Sequence, residues 1–170
     1  MTRSSGSNRP SQFLFPSQVI TSEVPCDLHT LLGSCIAVCL YDRVKRCGGM
    51  NHYMVPLWNG EGLESPKYGN IAINNLYERM LALGAQHRNM IAKVFGGASQ
   101  YQNSVLNIGE RNILIAETML EKLRIPIVAR STGGTRGRKI IFDTGTGDVL
   151  MKFMLQRNNS ESTIQQPSQV

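Results

Sequence analysis

A cysteine that follows a tight turn and opens an apolar run is the first candidate for chemistry in this chain. Gly33 and Ser34 precede Cys35, and the apolar residues 36–41 follow it. A turn that enters a buried strand leaves backbone N–H groups free beside the thiol, where they can stabilise a thiolate and later an oxyanion. Cys35 is therefore a candidate nucleophile, although a lone cysteine is more often a small apolar core residue.

A histidine lies in the next apolar run, at 50–55, where a strand would place His52 on the same face as Met50. A turn near residues 42–46 separates the two runs, so we expect neighbouring strands that bring Cys35 and His52 close together. Imidazole is the side chain best suited to accept a thiol proton near neutral pH. A histidine among apolar residues is also often a hydrogen-bonded core residue, and the residues alone leave both interpretations open.

Glycine-rich segments offer a second kind of site, since they let a substrate backbone approach closely or supply anion-binding amides. Three of them stand out, at residues 95–98, 107–112 and 132–134. None matches the phosphate-binding G-x-x-x-x-G-K-[ST] pattern. Structural turns explain these segments equally well.

The four cysteines show no metal-binding or disulfide pattern. They are Cys26, Cys35, Cys39 and Cys47, without a C-x-x-C pair, which argues against a zinc site. On one strand Cys35 and Cys39 would lie about 13 Å apart, beyond disulfide reach. We therefore expect reduced thiols and no metal.

Two segments that could position these side chains have the spacing of amphipathic helices. The first begins with Ser65-Pro66, a favourable N-cap and first-turn pair, and ends at Gly84. The second begins with Asn107 and Glu110, which resemble a capping box. Short β-rich runs complete the pattern, at residues 36–41, 50–55, 90–95, 125–129, 139–142 and 149–153. Strands and helices that do not alternate strictly predict an α+β fold in which helices cover sheet.

Length and composition limit the class of protein. A chain of 170 residues with 41% hydrophobic and 18% charged residues fits one globular domain. We place that domain at 13–155, between a disordered N-terminal arm at 1–12 and a disordered C-terminal tail at 156–170, because both ends have few apolar side chains. No apolar run approaches the ~20 residues that cross a bilayer, and no signal peptide is recognisable. We therefore expect a cytoplasmic protein without membrane insertion.

The net charge of +6 is partly concentrated in one segment, which we call the basic stripe: Arg124, Arg130, Arg136, Arg138 and Lys139. Such a stripe can attract nucleic acid, and a nucleic-acid binder is one alternative function. Basic residues are more often simply solvated, and we expect no nucleic-acid partner.

Several short motifs follow one another between about His29 and Phe153. They are Leu32-Gly33-Ser34-Cys35, Gly48-Gly49-Met50-Asn51-His52, Phe95-Gly96-Gly97-Ala98, Ile108-Gly109-Glu110-Arg111-Asn112, Thr132-Gly133-Gly134 and Gly137-Arg138-Lys139. Together they resemble the CheD family of chemoreceptor glutamine deamidases. The resemblance implies a layered two-sheet α/β cysteine-hydrolase fold, related to the catalytic domains of deamidating toxins, with helices packed on the outside. It also implies a protein-glutamine glutaminase that needs no cofactor and converts glutamines of methyl-accepting chemotaxis receptors to glutamate with release of ammonia.

The resemblance further implies which residues act. Cys35 would be the nucleophile and His52 its base, and a threonine just upstream of the cysteine would be the third catalytic residue. Thr30 is the candidate for that role, with the neighbouring His29 as the other position. Asn51 lies beside the base in its motif and is a candidate for positioning substrate.

Gly33 and Ser34 are candidates for the same positioning role or for holding the oxyanion. A chemotaxis phosphatase of the CheC type is implied as a second partner beside the receptors. The alternative function is a non-catalytic regulatory partner of such a phosphatase, which would keep the binding surface but would not need Cys35.

Overall fold

Strands dominate the computed structural model, which describes residues 8–100 and 107–156. The strands are β1 (Ser11–Phe13), β2 (Val19–Ser22), β3 (Asp27–Leu32), β4 (Ile36–Asp42), β5 (Cys47–Asn51), β6 (Met90–Gly96), β7 (Ile127–Thr132), β8 (Arg138–Asp143) and β9 (Val149–Phe153). The helices are α1 (Gly69–Ala82), α2 (Ile108–Lys122) and a short 3₁₀ helix at His87–Asn89.

The strands form two sheets that pack face to face, and α1 and α2 cover the outer face of one of them. The five-stranded sheet has the order β2-β5-β4-β6-β7, and the four-stranded sheet has the order β1-β3-β8-β9. Because side chains alternate along a strand, Cys39 of β4 faces the four-stranded sheet and packs in one core with Phe142. Val38 faces the helices and packs in a second core with Leu76. These layers confirm the predicted α+β fold with helices on the outside.

The central position of β4 follows from its composition. All seven residues are buried, which suits a strand with one apolar core on each face. It pairs antiparallel with β5 through the turn predicted at 42–46, so the two candidate runs are indeed neighbours. Asp42 stabilises this turn by accepting hydrogen bonds from the backbone N–H groups of Val44 and Lys45.

The helix predictions are confirmed in type but differ at one end. Asn107 accepts a hydrogen bond from the Glu110 N–H, which confirms it as the N-cap of α2. Ser65-Pro66 does not start α1, and that prediction is wrong, because the N-cap is Tyr68. Tyr68 forms an isolated parallel bridge with Val55, so pairing with a distant segment outweighs the local capping preference.

The ordered chain reaches closer to the N-terminus than the sequence predicted. Residues 1–7 of the expected arm and 157–170 of the expected tail lie outside the described residues, but Ser11–Phe13 form β1. Parallel pairing with β3 orders this segment, together with Arg9, which contacts Asp143 and Asp27. Within the described part of the chain, no helix has the length and apolar character needed to cross a membrane.

The basic stripe is divided by the fold. Arg138 is buried and donates to backbone carbonyls of Gly96 and Gly133, whereas Arg130 pairs with Glu117 on α2. The stripe therefore does not present five free cations on one surface, which weakens the nucleic-acid alternative.

Candidate active site

Cys35 lies at the end of a turn that is held in place by hydrogen bonds to its backbone carbonyl groups. The Gly33 carbonyl accepts from the Ala98 N–H and the Cys35 carbonyl accepts from the Gly97 N–H, both at 2.9 Å. The Ser34 carbonyl accepts from the side-chain amide of Asn112 at 3.0 Å. Because all three carbonyls accept hydrogen bonds from other parts of the chain, the turn is held in one orientation. Cys35, whose thiol is half-buried, is the last residue before β4.

His52 follows directly after β5 and is brought beside Cys35 by strand register. Ile36 and Tyr53 exchange both backbone hydrogen bonds, at 3.1 and 3.0 Å. Their side chains point towards the helices, so the preceding residues Cys35 and His52 both point to the opposite face, towards the four-stranded sheet. They are diagonal neighbours, a relation that separates Cα atoms by roughly 7–8 Å and lets side chains meet.

Thr30 reaches His52 from the other sheet. Its hydroxyl lies 2.7 Å from His52 Nδ1 and donates to the Leu14 carbonyl at 2.8 Å. A hydroxyl has one proton to donate, so the oxygen must accept from Nδ1–H. The neutral imidazole therefore has its proton on Nδ1 and its lone pair on Nε2. That nitrogen is buried and has no hydrogen-bond partner within residues 8–100 and 107–156, so it is free to accept a proton.

Burial sets the protonation states of the pair. It lowers the pKa of His52 from 6.5 to about 4, although the Leu14 backbone carbonyl, which favours the charged ring, opposes the shift. Burial likewise raises the pKa of the Cys35 thiol above its usual 9.0, and the residue's own backbone N–H opposes this. A thiol beside a neutral imidazole is therefore the resting state at neutral pH, which suits proton transfer during attack.

The structure separates the other predicted site residues. Gly33 and Ser34 are exposed in the turn before the thiol, where a substrate can reach them. Asn51 is fully buried, and its side-chain oxygen accepts from the Val38 N–H at 2.8 Å. It replaces a backbone carbonyl at the point where β5 leaves β4, so its contact is structural. His29, the alternative to Thr30, bonds instead to the Ser11 hydroxyl.

Asn112 ties α2 to the site. From the sequence it was named as the last residue of a motif but was assigned no role. Its side-chain amide donates to the carbonyls of Ser34 and Met54, at 3.0 and 2.9 Å. Its backbone carbonyl accepts from the Tyr53 hydroxyl at 2.6 Å. Asparagine in the interior of a helix is unfavourable by propensity, and that was the available signal of a tertiary role.

Comparison with known proteins identifies relatives of this chain. A family model described as "CheD chemotactic sensory transduction" matches residues 54–153. A protein of Trichlorobacter lovleyi, named as a probable chemoreceptor glutamine deamidase CheD, is 50% identical over 93% of this chain and 99% of its own length. A protein of the same name from Sulfurimonas denitrificans is 51% identical over 84% of this chain and 94% of its own. One from Methanosarcina acetivorans is 43% identical over 74% of this chain and 80% of its own.

Proposed function

Because the chain belongs to the CheD family, we propose that it deamidates glutamine side chains of chemoreceptors by a cysteine hydrolase mechanism. The observation that supports the mechanism best is the contact between Thr30 and His52, which fixes the imidazole with Nε2 free on the face that Cys35 shares. An oriented imidazole beside a thiol is the arrangement that activates a cysteine nucleophile.

The reaction begins with proton transfer from Cys35 to Nε2 of His52. The thiolate then attacks the side-chain carboxamide carbon of a glutamine, and the amide oxygen gains the negative charge of a tetrahedral intermediate. In this proposal, the backbone N–H groups of Ser34 and Cys35 stabilise that charge. The imidazolium protonates the departing nitrogen, so ammonia leaves and a thioester forms.

Water completes the cycle. His52 removes a proton from water, the hydroxide attacks the thioester, and the thiol regains its proton as glutamate is released. Thr30 accepts the Nδ1 hydrogen bond throughout and stabilises the transient imidazolium. Every proton is returned, so the chain's own residues perform the reaction without a cofactor.

Location and partners follow from the same proposal. All four cysteines are free thiols, which suits the reducing cytoplasm. A CheC-type phosphatase remains a proposed second partner. A purely regulatory role would not require an imidazole fixed by Thr30 beside Cys35, so the site geometry favours catalysis over that alternative.

The test is deamidation of a receptor cytoplasmic fragment, with glutamine-to-glutamate conversion mapped by mass spectrometry. Cys35→Ala should reduce kcat at least about 10³-fold, because no other group can form the thioester. Cys39→Ala, a matched loss of a thiol on the same strand face, should keep kcat within a few fold. Wild-type conversion by a folded Cys35→Ala protein would refute the mechanism, and absence of conversion by the wild type would favour the regulatory alternative.

A further inference from the structure

The segment that crosses between the two sheets contains a tight turn beside the catalytic histidine. β1 ends at Phe13 in one sheet and β2 begins at Val19 in the other. Between them, the Gln18 N–H donates to the Phe15 carbonyl at 3.2 Å, which closes a turn over Phe15–Gln18. Pro16 at its second position and a φ of 71° at Ser17 are the features of a type II turn.

The turn is braced by its own side chain. The side-chain oxygen of Gln18 accepts from the Phe15 N–H at 2.9 Å, so two hydrogen bonds join the ends of the turn. Ser17 occupies the position that ordinarily selects glycine, since a left-handed φ strains other residues. A strained conformation persists only where its surroundings hold it, which directs attention to what the turn contacts.

Both backbone groups of His52 bond to this turn. The Ser17 N–H donates to the His52 carbonyl at 2.8 Å, and the His52 N–H donates to the Gln18 carbonyl at 3.1 Å. The neighbouring strand β4 does not supply these bonds. Ile36 and Tyr53 exchange their backbone hydrogen bonds, so the backbone groups of His52, one residue before Tyr53, point away from β4. The turn thus sets the position of the His52 backbone, and with it the position from which the imidazole ring extends.

The residue before the turn controls the imidazole ring. Leu14 is fully buried, and its N–H donates to the His29 carbonyl at 2.8 Å, which aims its own carbonyl inwards. That carbonyl accepts the Thr30 hydroxyl proton at 2.8 Å. Since the hydroxyl proton is used there, Thr30 can only accept from Nδ1–H, and the lone pair is left on Nε2.

We propose that Leu14–Gln18 is a positioning segment of the active site, which fixes both the placement of His52 and the tautomer that leaves Nε2 basic. The inference rests on the proposed role of His52 as the base for Cys35. Leu14 and the turn make no contact with the reacting atoms in this account, and act only through Thr30 and His52.

Ser17→Val tests the proposal, with Ser17→Gly as the matched control. A β-branched side chain is strongly disfavoured at this φ, whereas glycine adopts it freely. We expect Ser17→Val to lower kcat on a receptor fragment at least tenfold with KM within about twofold, and Ser17→Gly to retain wild-type kcat. Long-range ¹H–¹⁵N correlation spectra should show a protonated Nδ1 and an unprotonated Nε2 in the wild type and in Ser17→Gly, and a mixture of tautomers in Ser17→Val.

The imidazole spectrum separates this proposal from the proposed function, because it needs no substrate. If the wild type fails to deamidate receptors, the tautomer comparison still tests the positioning role. Should Ser17→Val not fold, Gln18→Ala against Gln18→Glu decides the question, since only glutamate keeps an acceptor for the Phe15 N–H. A folded Ser17→Val or Gln18→Ala protein with the wild-type tautomer and wild-type kcat would overturn the proposal.

Discussion

At the scale of single residues, the protonation states of Cys35 and His52 suit the proposed proton transfer at the moment of attack. Burial disfavours charge on both side chains, which raises the pKa of Cys35 and lowers the pKa of His52. A preformed thiolate–imidazolium pair would require the opposite shifts. The advantage of a neutral pair is that the thiol stays unreactive towards oxidants and alkylating agents until substrate arrives.

Alkylation of the wild-type protein should reveal this neutral pair. The rate of Cys35 labelling by iodoacetamide should keep rising from neutral pH through pH 9, because the pKa of the thiol lies above 9.0. Cys39 should label far more slowly at each pH, since it is fully buried and burial raises its pKa strongly. The Cys35→Ala variant identifies the labelled site by mass spectrometry. A labelling rate that levels off near pH 7 would show an ion pair instead.

At the scale of elements, the nucleophile turn depends on a close approach by the end of β6. Gly96 has a φ of 112°, and a Cβ added there would lie 2.1 Å from the Cys35 carbonyl oxygen. Only glycine allows that approach, and the next residue, Gly97, donates to the same oxygen. Gly96 and Gly97 therefore have a structural role that also shapes the candidate active site. The structural and the functional interpretation of this glycine-rich segment both apply.

Gly96→Ala should displace the Cys35 turn, with Gly134→Ala as the control for backbone strain alone. Gly134 also has a positive φ, of 70°, but nothing lies within 4 Å of its added Cβ. We expect Gly134→Ala to cost about 1 kcal/mol of unfolding free energy and to keep kcat. Gly96→Ala should cost roughly 3 kcal/mol, because overpacking adds to the strain, and should lower kcat as well. Equal urea midpoints and equal kcat for the two variants would contradict this account.

The elements also show what sequence reasoning can reach. Cys35 and His52 were predicted to meet because they lie on consecutive apolar strands joined by a short turn, and such pairing is local. The orientation of His52 depends on Thr30 and Leu14, in strands and segments whose pairing spans the two sheets, and no periodicity predicts such contacts. β1, β2 and β3 were missed. β1 and β2 have only three and four residues, and β3 (Asp27–Leu32) has a polar Thr30 between Leu28 and Leu32 on its buried face. Short strands are specified by their neighbours rather than by their own composition.

At the scale of the whole molecule, the site imposes a cost on stability in acid. His52 must remain neutral in the fold, with a pKa of about 4, whereas it ionises near 6.5 in the unfolded chain. Between those two pKa values the unfolded state binds more protons than the folded state. The free energy of unfolding therefore has its full value above pH 6.5 and falls as the pH drops towards 4. Asp42 and Asp143 affect the free energy of unfolding at lower pH than His52 does. Backbone hydrogen bonds lower the pKa of both carboxyl groups against the effect of burial, so their contribution is lost only as the carboxylates protonate.

Urea unfolding between pH 7 and pH 4 should therefore show a loss of about 3 kcal/mol that depends on His52. His52→Gln places a neutral polar side chain at the same position and should remove most of this dependence, whatever its effect on stability at neutral pH. Below pH 4 both proteins should lose stability together, as the carboxylates protonate. Parallel curves for the two proteins from pH 7 to pH 4 would show that His52 is not buried in its neutral form.

The division of the proposed catalytic pair and of Thr30, which positions His52, between two sheets has a consequence for how the enzyme loses activity. Cys35 and His52 belong to one layer and Thr30 to the other, so the constellation exists only while the layers are docked. A partial opening that slid the layers by ~1 Å could leave every strand paired and still cost on the order of 10²-fold in rate. The turnover rate thus reports whether the two sheets are docked, and not whether the chain is folded. Under pressure or in mild denaturant, transient and reversible separation of the two layers should therefore abolish activity before the secondary structure is lost.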